Sequence, residues 1–474
     1  MAKKILFVAS EAAPFVASGG LGDVIGALPA AIMNKSDMDV RVVLPFYRDI
    51  AEKHMSEIEY LCYTYVSLGW RNQYCGIFRT KYKNVTFYFI DNEYYFKREG
   101  CYGHFDDGER FAFFCKSALE ILPVIDFFPD IIHAHDWQSA LVPIYLRTLF
   151  SDSENYRRIR TAFTIHNIEY QGKFDLSILG DVFALAPYHG GIVEWNGCIN
   201  LMKGAIEVCD KLLTVSPTYA AEIFSPFYSH GLSPIIEKNS GKLGGILNGI
   251  DCETYNPKTD MSVFCQFDVR SFKEGKLENK LRLQRQFGLT ENADIPLIAV
   301  ISRLVNHKGM DILAGAADEI INRGAQLAVL GTGDYTYEDF FYHLAKRHPG
   351  MVSTNLMFNP DTARKIYAAS DMFLMPSKSE PCGLAQMIAS RYGSVPIVRE
   401  TGGLYDSIHD CSFGHGNGFT FSGYGSDDII NAVDRAKALY YNKENWHALV
   451  NEVMTTDFSW DKSAGHYINT YNSM

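Results

Sequence analysis

PLIAVISRLVNHKGMDILAGAADEIINRGAQLAVLGTG, residues 296–333, is the stretch from which the fold can be read. Pro296 to Ile301 is a short apolar run, of the kind that suits a strand buried on both faces of a parallel sheet. Ser302 to Lys308 is polar, Gly309 to Arg323 has helical spacing with Asp311 near its start, and Gln326 to Leu330 is apolar again before Gly331-Thr-Gly333. Strand, loop, helix, strand is the repeating unit of a doubly wound α/β sheet. The rhythm continues with a helix over Thr362 to Ala369 and strands over Met372 to Met375 and Val395 to Val398.

Towards the N-terminus the same rhythm is present. Ile5 to Ala9 reads as a strand, followed by a Gly-rich turn and a helix over Val24 to Met33. Strands follow at Val40 to Leu44, Val85 to Ile90, Asp130 to His133, Ala162 to Ile165 and Leu212 to Val215, with a helix over Glu109 to Leu122. The polar stretch from 252 to 295 reads as a connection between two halves. The expected architecture is two Rossmann-like domains, 1–250 and 251–456, facing a cleft, with a C-terminal helix over 457–474 returning to the first domain. Open parallel sheets take ligands beyond the carboxyl ends of their strands, so chemistry is expected in the loops that follow strands.

Composition narrows the class. The chain has 474 residues, 47% of them hydrophobic and 21% charged, enough apolar material for more than one core and too little charge for a disordered chain. Acidic residues outnumber basic ones by 55 to 44, a net charge of −11, which disfavours a nucleic-acid partner. Ten scattered cysteines include no Cys-x-x-Cys pair, which argues for reduced thiols and a cytoplasmic protein. The apolar run after Lys3-Lys4 is too short for a signal peptide, and no stretch has the length of a membrane span.

Six strand-end motifs carry the chemistry. Ser18-Gly19-Gly20-Leu21-Gly22-Asp23 opens a helix, where glycines admit a phosphate to the backbone and the helix N-terminus favours an anion. Arg303 and Lys308 lie on one strand-to-helix loop and form a diphosphate clamp, a bidentate fork beside a point charge. Glu380, in Ser379-Glu380-Pro381-Cys382-Gly383-Leu384, is a carboxylate placed to accept from sugar hydroxyls, and Thr401-Gly402-Gly403-Leu404 is a second Gly-Gly turn able to meet phosphate. His133-Ala134-His135-Asp136-Trp137 suits a sugar site, carboxylate to hydroxyl and ring to sugar face, better than a metal, because no third ligand is evident. His166-Asn167 ends another strand.

Together these segments resemble one family, the bacterial glycogen synthases and plant starch synthases. Glu380-Pro-Cys-Gly-Leu384 and His166-Asn-x-x-Tyr-Gln-Gly172 are particular to it, and Ile246-Leu-Asn-Gly-Ile-Asp251 also matches. The resemblance covers the whole chain and implies the GT-B fold. It implies a retaining transfer of glucose from ADP-glucose to the non-reducing end of an α-1,4-glucan, without metal or cofactor. By the same resemblance Arg303, Lys308, Glu380 and His166 are the catalytic set. Gly19, Gly20, Asn248, Phe358, Cys382, Gly383, Leu384, Thr401, Gly402 and Gly403 would line the donor, Phe358 stacking on its base. Asp23, Asp136 and Trp137 would line the sugar or acceptor. One position departs: the family has a Lys two residues before the first Gly of the N-terminal turn, and this chain has Ala17. That keeps open another nucleotide sugar such as UDP-glucose, or a catalytically impaired glucan-binding protein. The α/β pattern alone also admits a dinucleotide oxidoreductase, but its Gly-x-Gly-x-x-Gly fingerprint is missing.

Overall fold

The computed structural model describes residues 2–474, which form two compact units. One comprises the chain up to Asn248 together with Trp460–Met474, and the other is Gly249–Ser459.

The first unit contains β1 (Lys4–Val8), β2 (Asp39–Pro45), β3 (Glu59–Leu68), β4 (Arg71–Tyr82), β5 (Val85–Asp91), β6 (Ile131–His135) and β7 (Arg160–Ile165). β8 (Lys173–Phe174), β9 (Glu194–Trp195) and β10 (Cys198–Asn200) make a small antiparallel sheet, and β11 (Lys211–Thr214) and β12 (Leu243–Gly245) complete the set. The main sheet has the order β12-β11-β7-β6-β1-β2-β5-β4-β3. It is parallel from β12 to β5, and its central strands are buried on both faces, as their unbroken apolar runs require. β4 and β3 extend it in antiparallel fashion to an edge. They were not foreseen from the sequence, because β3 alternates: Val66 and Leu68 are buried while Tyr63, Tyr65 and Ser67 face solvent. The helix Trp460–Ser473 packs on the helix Gly20–Lys35, burying Trp460, Ala464, Tyr467 and Tyr471.

The second unit is built on β13 (Leu297–Ile301), β14 (Gln326–Leu330), β15 (Val352–Asn355), β16 (Met372–Met375), β17 (Val395–Arg399) and β18 (Phe419–Phe421). The order is β15-β14-β13-β16-β17-β18 and every pairing is parallel. Strand order therefore reverses between β13 and β16, and in the first unit between β1 and β6. Those reversals are where ligands enter a doubly wound sheet.

The stretch 252–295 is more than a connection. It contains the helix Phe272–Gln286, which buries Phe272 and Leu283 but also Lys276, Asn279, Lys280 and Gln284. The Lys276 ammonium donates to the carbonyls of Ala368, Ser370 and Tyr392 at 2.9–3.0 Å, gathering the carboxyl ends of the helices Pro360–Ala369 and Ala385–Arg391. Burial draws its pKa down to about 7. A helix that buries amines and amides leaves no apolar stripe to read, which is why periodicity missed it.

All ten cysteines are free, and among the described residues no helix is long and apolar enough to cross a membrane.

Candidate active site

In the second unit the loops after β13 and β16 sit side by side at the strand-order reversal. The first, Ser302–Gly309, carries Arg303 on its exposed face, where it makes no ion pair among the described residues and only a 3.4 Å contact with the His307 ring. Lys308, from the same loop, donates to Glu380 Oε2 at 2.6 Å, and the Ser377 hydroxyl donates to the same oxygen at 3.0 Å. Glu380 is 6% exposed, so a charged, buried carboxylate is fixed by one cation and one hydroxyl.

The loops are locked together by backbone. The amide of Lys378 donates to the His307 carbonyl at 2.9 Å. Gly309 adopts φ +76°, and a Cβ there would fall 2.0 Å from the Pro376 carbonyl oxygen, so no other residue fits. The turn after β17 closes on the same segment: a Cβ on Gly402 would lie 2.0 Å from the Glu380 oxygen, and one on Gly403 would lie 2.1 Å from the Cys382 oxygen. The amide of Gly403 donates to the Glu380 carbonyl at 3.1 Å, so that N–H holds the Glu380 loop. The small size of Gly402 and Gly403 is therefore explained by this close packing. Thr401 and Cys382 are buried beneath the loop, and Leu384 opens the helix Ala385–Arg391.

Two residues that the motifs did not single out hold this assembly. The Arg399 guanidinium, at the end of β17, donates to the carbonyls of Lys378 at 3.0 Å and Gly423 at 3.0 Å. It also lies 5.3 Å from the centre of the Tyr424 ring, whose hydroxyl donates to Asp311 at 2.7 Å, at the start of the helix after Gly309. No spacing rule links Arg399 to Glu380; only the folded chain does. Phe358 is 88% exposed, in the loop between β15 and the helix Pro360–Ala369, where its ring is open for stacking.

In the first unit the loop after β1 is organised by Glu11. This buried carboxylate accepts from the Ser18 amide (2.5 Å), the Ser18 hydroxyl (2.7 Å), the Gly19 amide (3.2 Å) and the Tyr102 hydroxyl (2.5 Å). Two amides of the Gly-Gly turn are thus spent on Glu11, and Gly20 begins the helix Gly20–Lys35 with no side chain capping it. Asp23 lies in its first turn. Ala17 is exposed, and a Cβ on Gly22 would meet its methyl at 2.5 Å. Shape alone keeps this corner small, without a charge.

The loop after β6 faces it. Asp136 holds φ 56°, a strained backbone for a non-glycine residue, and its Oδ1 accepts from the amides of His166 (2.7 Å) and Asn167 (3.4 Å). Burial raises its pKa to about 7, opposed by those amides and assisted by the charge of Glu11. Burial draws His166 and His133 down to about 3 and His135 well below the usual value, so all three rings are neutral near pH 7. Trp137, expected to offer its ring to a sugar, packs against Gly172, Phe111 and Phe174 and stays partly exposed. Asn248 is buried with its Oδ1 unpartnered, as a group awaiting a donor would be. No group of three His, Cys, Asp or Glu side chains among the described residues is arranged to hold a metal ion.

Each unit thus presents charged and polar groups at its own strand-order reversal. Comparison with known proteins agrees with the two-part division. Residues 4–238 match the starch synthase catalytic domain and residues 283–448 match the glycosyl transferases group 1. The chain is 47% identical over 475 aligned positions to a glycogen synthase of Alkaliphilus metalliredigens, covering 99% of this chain and 100% of that protein. It is 46% identical to a glycogen synthase of Clostridium kluyveri with the same coverage. Among solved structures, the catalytic domain of starch synthase IV from Arabidopsis thaliana, bound to ADP and acarbose, superposes with a TM-score of 0.90 at 34% identity. It covers 100% of this chain and 99% of that one. A sucrose-phosphate synthase from Thermosynechococcus elongatus shares the fold, with a TM-score of 0.62 at 16% identity over 99% of this chain and 98% of that one.

Proposed function

The chain belongs to the family of bacterial glycogen synthases and plant starch synthases, and from that premise we propose how its residues perform the family reaction. It is a glycosyltransferase that moves glucose from ADP-glucose to the non-reducing end of an α-1,4-glucan with retention of configuration. The observation that carries the residue assignment is the Arg303, Lys308 and Glu380 cluster, held by interlocked loops where the second sheet reverses its order.

Arg303 and Lys308 take the donor diphosphate. As the bond from glucose C1 to the phosphate oxygen breaks, negative charge moves to the departing phosphate, and two cations stabilise it, Lys308 already held in place by Glu380. One preorganised group of this kind is worth about 3 kcal/mol, or about a hundredfold in rate. Glu380, whose carboxylate is already oriented by Lys308 and Ser377, accepts hydrogen bonds from the donor glucose. Phe358 stacks on the base. The acceptor hydroxyl attacks C1 on the face that the phosphate leaves, and its proton passes to the departing phosphate oxygen. His166, positioned through its amide by Asp136, lies beside the reacting sugar in this reading. Asp23 and Asn248 line the sugar and donor side. The enzyme works in the cytoplasm, a placement supported by its ten free thiols and its bacterial relatives.

Ala17 favours a second reading. With no cation at that corner, only the helix N-terminus is left there to meet an anion, and the chain would bind glucan with little or no turnover. Glucose incorporation into a glycogen or maltooligosaccharide primer, with ADP-glucose and UDP-glucose compared at equal concentration, separates the readings. Strong preference for ADP-glucose establishes the synthase. Glucan binding without incorporation from either donor establishes the second reading.

A further inference from the structure

The His133-x-His135 motif is not absorbed by the roles above, and its second ring makes a contact with a specific chemical consequence. His135 is fully buried at the end of β6. Its Nδ1 lies 3.0 Å from His166 Nε2. Its backbone is tied down on both sides by Ser139, whose Oγ accepts from the His135 amide at 2.5 Å and donates to its carbonyl at 2.7 Å. The ring is stacked on Phe7, centroids 5.2 Å apart at 18°, and lies 4.1 Å from the His133 ring. His135 Nε2 is buried and has no hydrogen-bond partner.

We propose that His135 is a positioning residue: its Nδ1–H donates to His166 Nε2 and fixes His166 as the tautomer that carries its proton on Nδ1. The argument is one of proton counting. Both rings are neutral, so one proton serves the contact. If His166 donated from Nε2, His135 would have to keep its own proton on Nε2, a buried N–H with nothing to receive it. Orphaned N–H groups are the rarer and costlier kind of unsatisfied group. With the proton on His135 Nδ1, the orphan is only a bare lone pair. His166 Nε2 is then committed as acceptor, and its Nδ1–H is the donor presented to a sugar hydroxyl. Asp136 fixes the same residue through its amide, so both the backbone and the ring of His166 are set by the β6 end.

This inference rests on the placement of His166 beside the donor sugar, and the test separates the two. In protein labelled with 15N at histidine, with His166→Gln used to assign the His166 signals, wild type is expected to show a protonated Nδ1 and an unprotonated Nε2. In His135→Phe the population with protonated Nε2 rises, and kcat falls about tenfold, the equivalent of one lost hydrogen bond, with the donor KM changed less than threefold. His135→Asn, whose amide can donate from near the same point, restores the tautomer and most of kcat. A wild-type His166 protonated on Nε2, or a tautomer indifferent to His135→Phe, overturns the proposal. So do equal kcat values in the Phe and Asn variants. The wild-type spectrum decides the matter even if His135→Phe fails to fold. A wild type with the expected spectrum but no glucosyl transfer leaves the positioning intact and removes the synthase reading instead.

Discussion

Lys308→Met keeps an aliphatic stem of similar length and removes the ammonium that lies 2.6 Å from Glu380. Two losses follow, and they can be separated. The Glu380 carboxylate, 6% exposed, is left with the Ser377 hydroxyl as its remaining partner. Breaking a buried ion pair by removing one member costs about 3–5 kcal/mol. The Lys308 side chain retains 18% of its surface, so water screens part of this and about 2 kcal/mol is the better figure. The second loss is chemical: the departing diphosphate loses the one cation held in place and keeps only Arg303, about 3 kcal/mol, or about a hundredfold in kcat/KM. Adding Glu380→Gln removes the stranded charge but returns no cation. The double variant should therefore regain most of the stability and none of the activity. Urea unfolding of wild type, both single variants and the double, alongside incorporation of labelled glucose into primer, gives the full cycle. Stability losses that simply add, or a kcat/KM loss in Lys308→Met below tenfold, would refute this account of the pair.

Ala17→Lys keeps the Cβ that already packs against Gly22 and extends a cation from an exposed position; the donor KM should fall about tenfold with the unfolding temperature unchanged, measured by initial rates across ADP-glucose concentrations. Gly309→Ala puts a methyl 2.0 Å from the Pro376 oxygen at φ +76°; about 3 kcal/mol of stability should be lost together with activity, read from denaturation midpoints and turnover. Acid should destabilise the protein. The unfolded chain takes up protons on three histidines near pH 6.5, while burial holds His133 and His166 at about 3 and His135 well below its usual value, so stability falls as pH drops below 6.5. Asp136 opposes this: raised to about 7, it keeps a proton that the unfolded chain loses from about pH 4 upward, so its contribution declines as pH rises to 7. Three groups outweigh one, so the urea midpoint at pH 7 should exceed that at pH 5, and Asp136→Asn should widen the gap; equal midpoints in wild type would contradict the sign.

The parts of the fold that were legible are those buried on both faces. β13, β14 and β16 announce themselves as apolar runs because nothing polar can sit on either side of a covered parallel strand. β3 and β4 escaped notice because an edge hairpin wet on one face mixes Tyr, Thr and Ser with its Val and Leu. The helix Phe272–Gln286 escaped because it satisfies buried carbonyls with Lys276 and Lys280, a hydrogen-bond solution that hydropathy cannot see. At the candidate site, Arg303, Lys308, Glu380 and the glycine turns could be named from strand-end motifs. His135, Arg399 and Tyr424 take their roles from contacts between distant segments, such as the donation from Arg399 to the Lys378 carbonyl, which no local spacing encodes.

Tyr471 lies within the helix Trp460–Ser473, yet its hydroxyl reaches the His133 ring on β6, a strand translated much earlier. On the ribosome the first unit cannot finish its core when its own strands have emerged. It must wait, with the His133 side of its sheet uncovered, while all of the second unit is synthesised. Domains commonly fold in order of synthesis; here the earlier one is sealed by the later end of the polypeptide. A chain stalled or clipped before Trp460 would leave His133 and Phe7 without the tyrosines that cover them, so the first unit is finished only once this helix has been made.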